Sequence, residues 1–261
     1  MSVVRRVRGA MAQQQFTRMR LDQALVMRRL APTRSRARDM IARGCVTVDG
    51  AIITKSGHSI FGHADITVAE EAHPYVSRGG LKLAAALAAF GFDATGRTAL
   101  DVGASTGGFT DVLLKAGAAR VYAVDVGRNQ LHAALKADPR VVSLESTDAR
   151  ALTRDQITEA VDAIVADVSF ISATRVLPVP LSFAVRGAWL VVLVKPQFET
   201  GRKAVGKGGI VRDAAHHERA VLEVRAWIAA QSGWSVVGVI SSPVAGGSGN
   251  KEFLIGAVND G

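Results

Sequence analysis

Apolar positions along the chain fall into two regimes. From Ser77 onward, short apolar runs alternate with segments of helical spacing. Runs near 98–102, 120–125, 140–144, 163–167, 189–194, 235–240 and 252–258 read as strands, and helical patterns lie near 81–90, 107–116, 128–137, 151–160, 173–185 and 214–231. That alternation predicts a largely parallel sheet with helices on both faces. Residues 20–68 follow another pattern. Leu21, Ala24 and Leu25 recur at helical spacing and Pro32 follows them. Thr33 or Ser35 can cap a second helix, with Ala37, Met40 and Ile41 as its apolar face and Gly44 at its end. Val46-Thr-Val48 alternates into an Asp49-Gly50 hairpin turn, and Ile66-Thr-Val68 reads as a later strand.

Charge sharpens this division. Twelve basic residues against four acidic ones lie in residues 1–66, so nearly all of the net charge of +9 sits there. The pattern suggests a polyanion-binding module joined to a nearly neutral catalytic one. The expected organisation is a disordered basic arm over 1–17, a small α+β module over 18–69, a linker over 70–76 and a large α/β domain over 77–261. The longest apolar run, Ala188–Val194, is far short of the roughly 20 residues that a membrane span needs. Arg5, Arg6 and Arg8 have no apolar block behind them, so no secretory signal is expected. A single cysteine, Cys45, excludes an intrachain disulfide and a cysteine-based metal cage. A cytoplasmic protein without a metal site is the expectation.

The stretch Thr98-Ala-Leu-Asp-Val-Gly-Ala-Ser-Thr-Gly-Gly-Phe-Thr110 carries the first chemistry. An apolar strand ends at Gly103, passes through a small-residue turn containing Ser105, and opens a helix at Gly107-Gly108. Such a turn brings backbone N–H groups close to a ligand. Asp125, closing the next apolar strand, can accept the hydroxyls of a ribose. The glycine spacing departs from the G-x-G-x-x-G that admits a dinucleotide pyrophosphate, and Asp101 puts a carboxylate beside the turn. That carboxylate suits a sulfonium or ammonium group better than a pyrophosphate. The stretch therefore favours S-adenosylmethionine over NAD, with a simple packing turn as the alternative reading.

In the N-terminal region, Arg20-Leu-Asp, Thr33-Arg-Ser-Arg-Ala37 and Ile41-Ala-Arg-Gly44-x-Val46-x-Val48-Asp-Gly50 resemble the RNA-binding module first seen in ribosomal protein S-four, over about 50 residues. At 100° per residue, Arg34 and Arg38 flank one side of the second helix's apolar arc, and Arg36 and Arg43 flank the other. Arginine forks suit phosphate and position a protein without reading much sequence. Arg20, Arg34, Arg36, Arg38 and Arg43 are the expected RNA contacts in this module, with Arg78 beyond it.

Four polar residues stand where strands and helices begin or end: Lys82 after Ser77-Arg-Gly-Gly80, Asp167 after an apolar strand, Lys195 before Pro196, and Glu252 after Gly249-Asn-Lys251. Ligands of open parallel sheets sit outside the carboxyl ends of strands, where Asp167 and Lys195 would arrive together. A lysine facing an aspartate there is a candidate proton acceptor from an alcohol. The motifs Ser77-Arg-Gly-Gly-Leu-Lys-Leu83, Asp101–Asp111, Ala166-Asp-Val-Ser-Phe-Ile171, Val194-Lys-Pro-Gln-Phe-Glu199 and Gly249-Asn-Lys-Glu-Phe253 resemble the FtsJ-like ribose methyltransferases. From about Arg20 to its end the chain resembles the TlyA family, which joins the small RNA-binding module to such a domain.

The resemblance implies a Rossmann-like methyltransferase sheet and ribose 2′-O-methylation of structured ribosomal RNA or ribosomal subunits with S-adenosylmethionine. It matches Lys82, Asp167, Lys195 and Glu252 to the family's K-D-K-E tetrad. Gly107, Phe109, Asp125, Asp148 and Asp167 match its cofactor contacts, alongside Asp101, Gly103, Ser105 and Gly108 from the turn itself. Asp148 stands where TlyA-like chains commonly carry Asn. The linker Ala72-His-Pro-Tyr-Val76 departs from the basic, tryptophan-containing linker of some relatives. Two decoys fall away. Gly201–Gly208 nearly matches a nucleotide-triphosphate loop but ends in Gly208 where Ser or Thr is required. His216 and His217 are adjacent and point to different helix faces. Another RNA-modifying activity and a membrane-active haemolysin are the alternative functions.

Overall fold

The computed structural model describes residues 4–7, 18–42, 44–69, 74–201, 204–206, 208–246 and 249–261. The chain divides into two compact units, Met1–His73 and Pro74–Gly261. The first contains β1 (Val4–Val7), β2 (Arg18–Arg20), α1 (Leu21–Met27), α2 (Arg34–Ala42), β3 (Val46–Val48), β4 (Ala51–Ile52), β5 (Ser59–Phe61) and β6 (Ile66–Ala69). Its antiparallel sheet runs β1-β6-β3-β4, and β2 pairs with β5. Leu21, Leu25, Ile41 and Ile66 are fully buried between helices and sheet. Asp49 (φ 50°) and Gly50 (φ 83°) make the tight turn between β3 and β4, because both central positions of such a hairpin need positive φ. The expectation of a disordered arm over 1–17 is corrected in part. Val4–Val7 pairs with β6, whose edge would otherwise present unpaired backbone groups. Residues 1–3 and 8–17 lie outside the described residues.

The second unit contains α3 (Gly79–Phe90), β7 (Thr98–Val102), α4 (Gly108–Lys115), β8 (Arg120–Asp125), α5 (Ala133–Lys136), β9 (Val141–Glu145), β10 (Val161–Ala166), α6 (Ala173–Val176), α7 (Pro178–Leu181), β11 (Ala184–Val194), α8 (Pro196–Glu199), α9 (Ala214–Ala229), β12 (Trp234–Ser241) and β13 (Phe253–Asn259). The sheet order is β12-β13-β11-β10-β7-β8-β9. Strands β7 to β11 pair in parallel, whereas β13 lies antiparallel between β11 and β12. Alternate residues serve opposite faces. Leu190, Val192 and Val194 of β11 join a core covered by α6, α7 and α9. Trp189, Val191 and Leu193 join one covered by α3 and α4. The strand order reverses between β7 and β10, which is where a crevice opens in folds of this type.

Three expected helices shrink, each for a local reason. Over 128–137 only α5 forms, because the Glu145 carboxylate accepts the N–H groups of Gln130 and Leu131 and holds that stretch as a loop. The pattern at 151–160 yields a single 3-10 turn, Ala149–Ala151, followed by turns in which Thr153 N donates to Gln156 Oε1. The pattern at 173–185 breaks at Pro178, which lacks an N–H, and gives way to β11 at Ala184. The expected linker ends early. Val76 N donates to Asp111 Oδ2 at 2.8 Å, Lys115 Nζ donates to Pro74 O, and Tyr75 packs against Gly80, so residues 74–76 belong to the second unit. Residues 70–73 lie outside the described residues.

Asp22, at the start of α1, is completely covered and ties three segments of the first unit together. Its carboxylate lies 3.0 Å from Arg20 Nε, 3.1 Å from Arg34 Nη2 and 3.0 Å from Arg38 Nε. The cover consists of these arginine side chains, each about half exposed, rather than of depth beneath the surface. Arg20 above all, joined by Arg38 and Arg34, holds the Asp22 carboxyl well below the usual carboxylate range, against the opposing effect of burial. Asp22→Ala is expected to destabilise the unit by about 1–3 kcal/mol, the half-solvated guanidiniums keeping the loss below that of a deep ion pair. Hydrogen exchange across residues 21–42 of the full chain measures it. Because the native pKa is depressed, the stabilisation is complete above the ordinary carboxylate pKa near 4 and fades as pH falls below it.

Candidate active site

A pocket of about 490 Å³ opens at the carboxyl ends of β7, β8 and β10. Gly103, Ser105, Asp125, Asp148 and Asp167 all line it. Asp125 Oδ2 accepts from Ser105 N at 2.8 Å and Oδ1 from Gly127 N at 2.6 Å, so the carboxylate is fixed by the turns on either side of it. Asp148 is gripped by Arg150, whose Nη2 lies 2.6 Å from Oδ2, and this pair keeps the Asp148 carboxyl below its ordinary pKa. The turn after β7 is tight. Gly103 (φ 84°) and Gly107 (φ 93°) are left-handed, and a Cβ on Gly103 would lie 2.5 Å from the Asp167 carbonyl oxygen.

Four expected cofactor contacts do not line the pocket. Asp101 is fully buried behind it, accepting from Thr110 Oγ1 at 2.6 Å, and its other oxygen has no hydrogen-bond partner among the described residues. Burial pushes its carboxyl up to about 7. Gly107 caps α4 against Leu131 and Leu135, Gly108 packs on Ser77 Oγ, and Phe109 is buried in the core under α4. These positions build the turn from beneath, because the first turn of α4 must pack on the sheet immediately after the glycines.

The four polar residues form two ion pairs at the same end of the sheet. Lys195 Nζ stands 2.6 Å from Asp167 Oδ1, outside hydrogen-bond angles, and donates its hydrogen bond to Ser169 Oγ at 2.7 Å. Lys82 Nζ, on α3, donates to Glu252 Oε2 at 2.6 Å, and both side chains are buried. Strand register links the pairs. Val194, just before Lys195, lies opposite Phe253, just after Glu252. A Cβ on Gly246 would collide with Glu252 Oε1, so a larger residue there would push that carboxylate aside. Asn250, almost fully buried, accepts from Val211 N and donates to Gly209 O, tying the loop before α9 to the start of β13. Ser169, Gly246 and Asn250 gained no role from the sequence. The only signal was their place in or next to motif segments that already held Asp167 and Glu252.

In the first unit, Arg20, Arg34 and Arg38 meet at Asp22 and remain about half exposed, so they form one patch instead of separate outward-pointing groups. Arg36 lies on α2, Arg43 lies outside the described residues, and Arg78 occupies the N-cap position of α3 in the second unit.

A switch-point pocket lined by Asp125 and Asp148, with Asp167 shared between it and a lysine pair, defines a Rossmann-like methyltransferase. The chain belongs to the FtsJ-like methyltransferase family, whose model matches residues 75–258, and an S4 domain model matches residues 19–60. It is 48% identical over 239 residues to the 16S/23S rRNA (cytidine-2′-O)-methyltransferase TlyA of Mycobacterium tuberculosis, covering 91% of this chain and 89% of that one. Hemolysin A of Brachyspira hyodysenteriae is 41% identical, with 90% and 98% covered. A solved structure from Streptococcus thermophilus with a provisional hemolysin name superposes with TM-score 0.73 at 41% identity, covering 93% of this chain and 88% of that one.

Gly103→Ala tests the turn. The new Cβ combines a positive φ with a clash against Asp167 backbone, a strain of about 1–3 kcal/mol. Thermal unfolding is expected to show the Tm lowered by a few degrees, with the circular dichroism spectrum of the folded protein unchanged.

Proposed function

We propose that the chain is a ribose 2′-O-methyltransferase that takes S-adenosylmethionine as donor and structured ribosomal RNA as acceptor, and that it works in the cytoplasm. One observation carries the reading: Asp167 belongs both to the pocket wall and to the Lys195 ion pair, so a donor in the pocket and a proton acceptor meet at one residue. The pocket suits the donor. Its volume falls within the range of cofactor sites, and two carboxylates in its wall can accept from a nucleoside's hydroxyl and amino groups. The curated relative's name makes a cytidine ribose the first acceptor to test. No described helix is long and apolar enough to cross a membrane.

Gly103, Ser105, Asp125, Asp148 and Asp167 hold S-adenosylmethionine, which supplies an electrophilic methyl group on a sulfonium. Lys195, once its ammonium has given up a proton to solvent, accepts the proton that the ribose hydroxyl loses. Asp167 and Ser169 hold its Nζ in place, and the Lys82–Glu252 pair fixes the neighbouring end of β13 and steadies the acceptor. Much of the acceleration comes from positioning, which is worth roughly 7–11 kcal/mol in favourable cases. The direct test is to incubate the protein with labelled donor and ribosomal subunits and to digest the RNA. Label on a ribose 2′-oxygen supports the reading, and label confined to bases defeats it.

The S4 domain supplies RNA affinity through the Asp22-centred arginine patch. Arg34→Gln, Arg36→Gln and Arg38→Gln combined with Asp22→Asn, so that no buried charge is orphaned, is expected to flatten the salt dependence of RNA binding. The slope should fall by about 0.7–0.9 for each phosphate that an arginine no longer neutralises. An unchanged slope would place the RNA elsewhere.

Lys195→Ala is expected to fold, to bind donor and RNA near parental strength, and to lose about 10²–10⁴-fold in turnover, the usual range for a general base. Lys195→Arg should be nearly as poor, because a guanidinium does not give up its proton near neutrality. Near-normal turnover in Lys195→Arg would show that positive charge alone suffices.

A further inference from the structure

The turn after β10, which carries Asp167, and the turn after β11, which carries Lys195, are joined at three places. Lys195 meets Asp167 and Ser169. The rings of Phe170 and Phe198 lie 5.1 Å apart. Beyond them, the Glu199 carboxylate accepts from Ala173 N at 2.9 Å through Oε1 and from Ser172 Oγ at 2.5 Å through Oε2. Glu199 is the last residue of α8, and Ser172 caps α6, so this third contact closes the far end of both turns. The turn it closes is strained. Phe170 sits at φ 67°, a conformation that a bulky residue keeps only when its surroundings enforce it.

We propose that Glu199 is a positioning residue for the Asp167–Lys195 pair: its carboxylate clasps the start of α6 and so holds residues 168–172 in the conformation that sets Asp167 against Lys195. The proposal rests on the methyl-transfer reading only for its kinetic readout. Glu199 does not line the donor pocket, and its polar contacts run to Ser172 and Ala173, not to the reacting pair. Burial raises the cost of an ionised carboxyl here, and Glu223 adds to it, so the two hydrogen bonds are what keep the group in place. A hydrophobic side chain would fill the same space without fixing the direction of the turn. A deviation of about 1 Å at a reacting pair can cost on the order of 10²-fold in rate, which is the scale on which such a clasp matters.

The test uses the full chain with ribosomal subunits and compares Glu199→Ala, Glu199→Gln and Ser172→Ala. Glu199→Ala is expected to lower kcat about 10–100-fold with the KM for RNA within about twofold, since the RNA-contacting arginines are untouched. Glu199→Gln is expected to restore kcat to within about threefold of the parent, because its amide oxygen still accepts from Ala173 N and its amide NH₂ donates to Ser172 Oγ. Should Glu199→Ala fail to fold, Ser172→Ala removes half of the clasp and is expected to lower kcat by a smaller factor. Hydrogen exchange gives a readout independent of turnover: Glu199→Ala should expose the Ala173 amide, which Glu199 holds in the parent, and Glu199→Gln should not. Parental kcat and protection in Glu199→Ala would overturn the proposal, as would a Glu199→Gln variant as slow as Glu199→Ala. A parent that transfers no methyl group would defeat the functional reading alone, since the exchange comparison still decides the clasp.

Discussion

The hydrogen bond from Asp167 N to Val102 O, 2.9 Å long, continues the β7–β10 ladder one residue beyond the end of β10. The site depends on that extension. It lays the Asp167 carbonyl over Gly103, which is why that position has no room for a Cβ, and it turns the Asp167 carboxylate toward β11. Lys195 then arrives through the parallel register of β10 with β11, and Glu252 through the antiparallel register of β11 with β13. Strand ladders thus deliver three of the four residues to one end of the sheet, and α3 brings Lys82 to the fourth place. A one-residue slip of any of these strands would turn its side chains to the other face of the sheet.

The two ion pairs are poor devices for stability. Burying a lysine and a glutamate together costs desolvation that their attraction repays only with good geometry, and apolar replacements of similar volume are often neutral or better. Lys82 and Glu252 nonetheless lie buried at 2.6 Å, with Gly246 making space for the carboxylate and Asn250 fastening the adjoining loop. An arrangement that commits two charges, a glycine and a buried amide to one spot is better explained by the chemistry beside it than by folding.

Strands were the legible part of the sequence. Buried parallel strands are continuous apolar runs, and the runs at 98–102 and 120–125 match β7 and β8 residue for residue. The antiparallel setting of β13 could not be read, since periodicity carries no direction. Helices of one turn defeated the pattern because side chains, not spacing, decided them: Glu145 at α5, Gln156 after the 3-10 turn, and Pro178 between α6 and α7. Candidate chemistry at strand ends was legible for the same reason as the strands, since Asp167 and Lys195 interrupt apolar runs. The arginines were legible as charge but not as a cluster. Asp22 looked like one acid among many bases, and only the packing of α1 on α2 shows that it gathers Arg20, Arg34 and Arg38.

Asp101 shows how a residue inside the cofactor motif can act without lining the pocket. Its raised pKa has a cost of known sign. A carboxyl that titrates near 7 in the fold and near 4 in the unfolded chain favours the fold fully below pH 4, and that contribution is lost as pH rises through 7. Near neutrality a substantial fraction of Asp101 is therefore uncharged, which spares Asp125 and Asp167 a third negative neighbour. What the fold gains is a tie of fixed direction. Thr110 donates to Asp101 at 2.6 Å, joining the first turn of α4 to β7 across the glycine turn that runs from Gly103 to Gly107. Apolar contacts would draw the same elements together but leave the turn free to slide, and a turn that must present backbone to a ligand while clearing the Asp167 carbonyl has no such freedom.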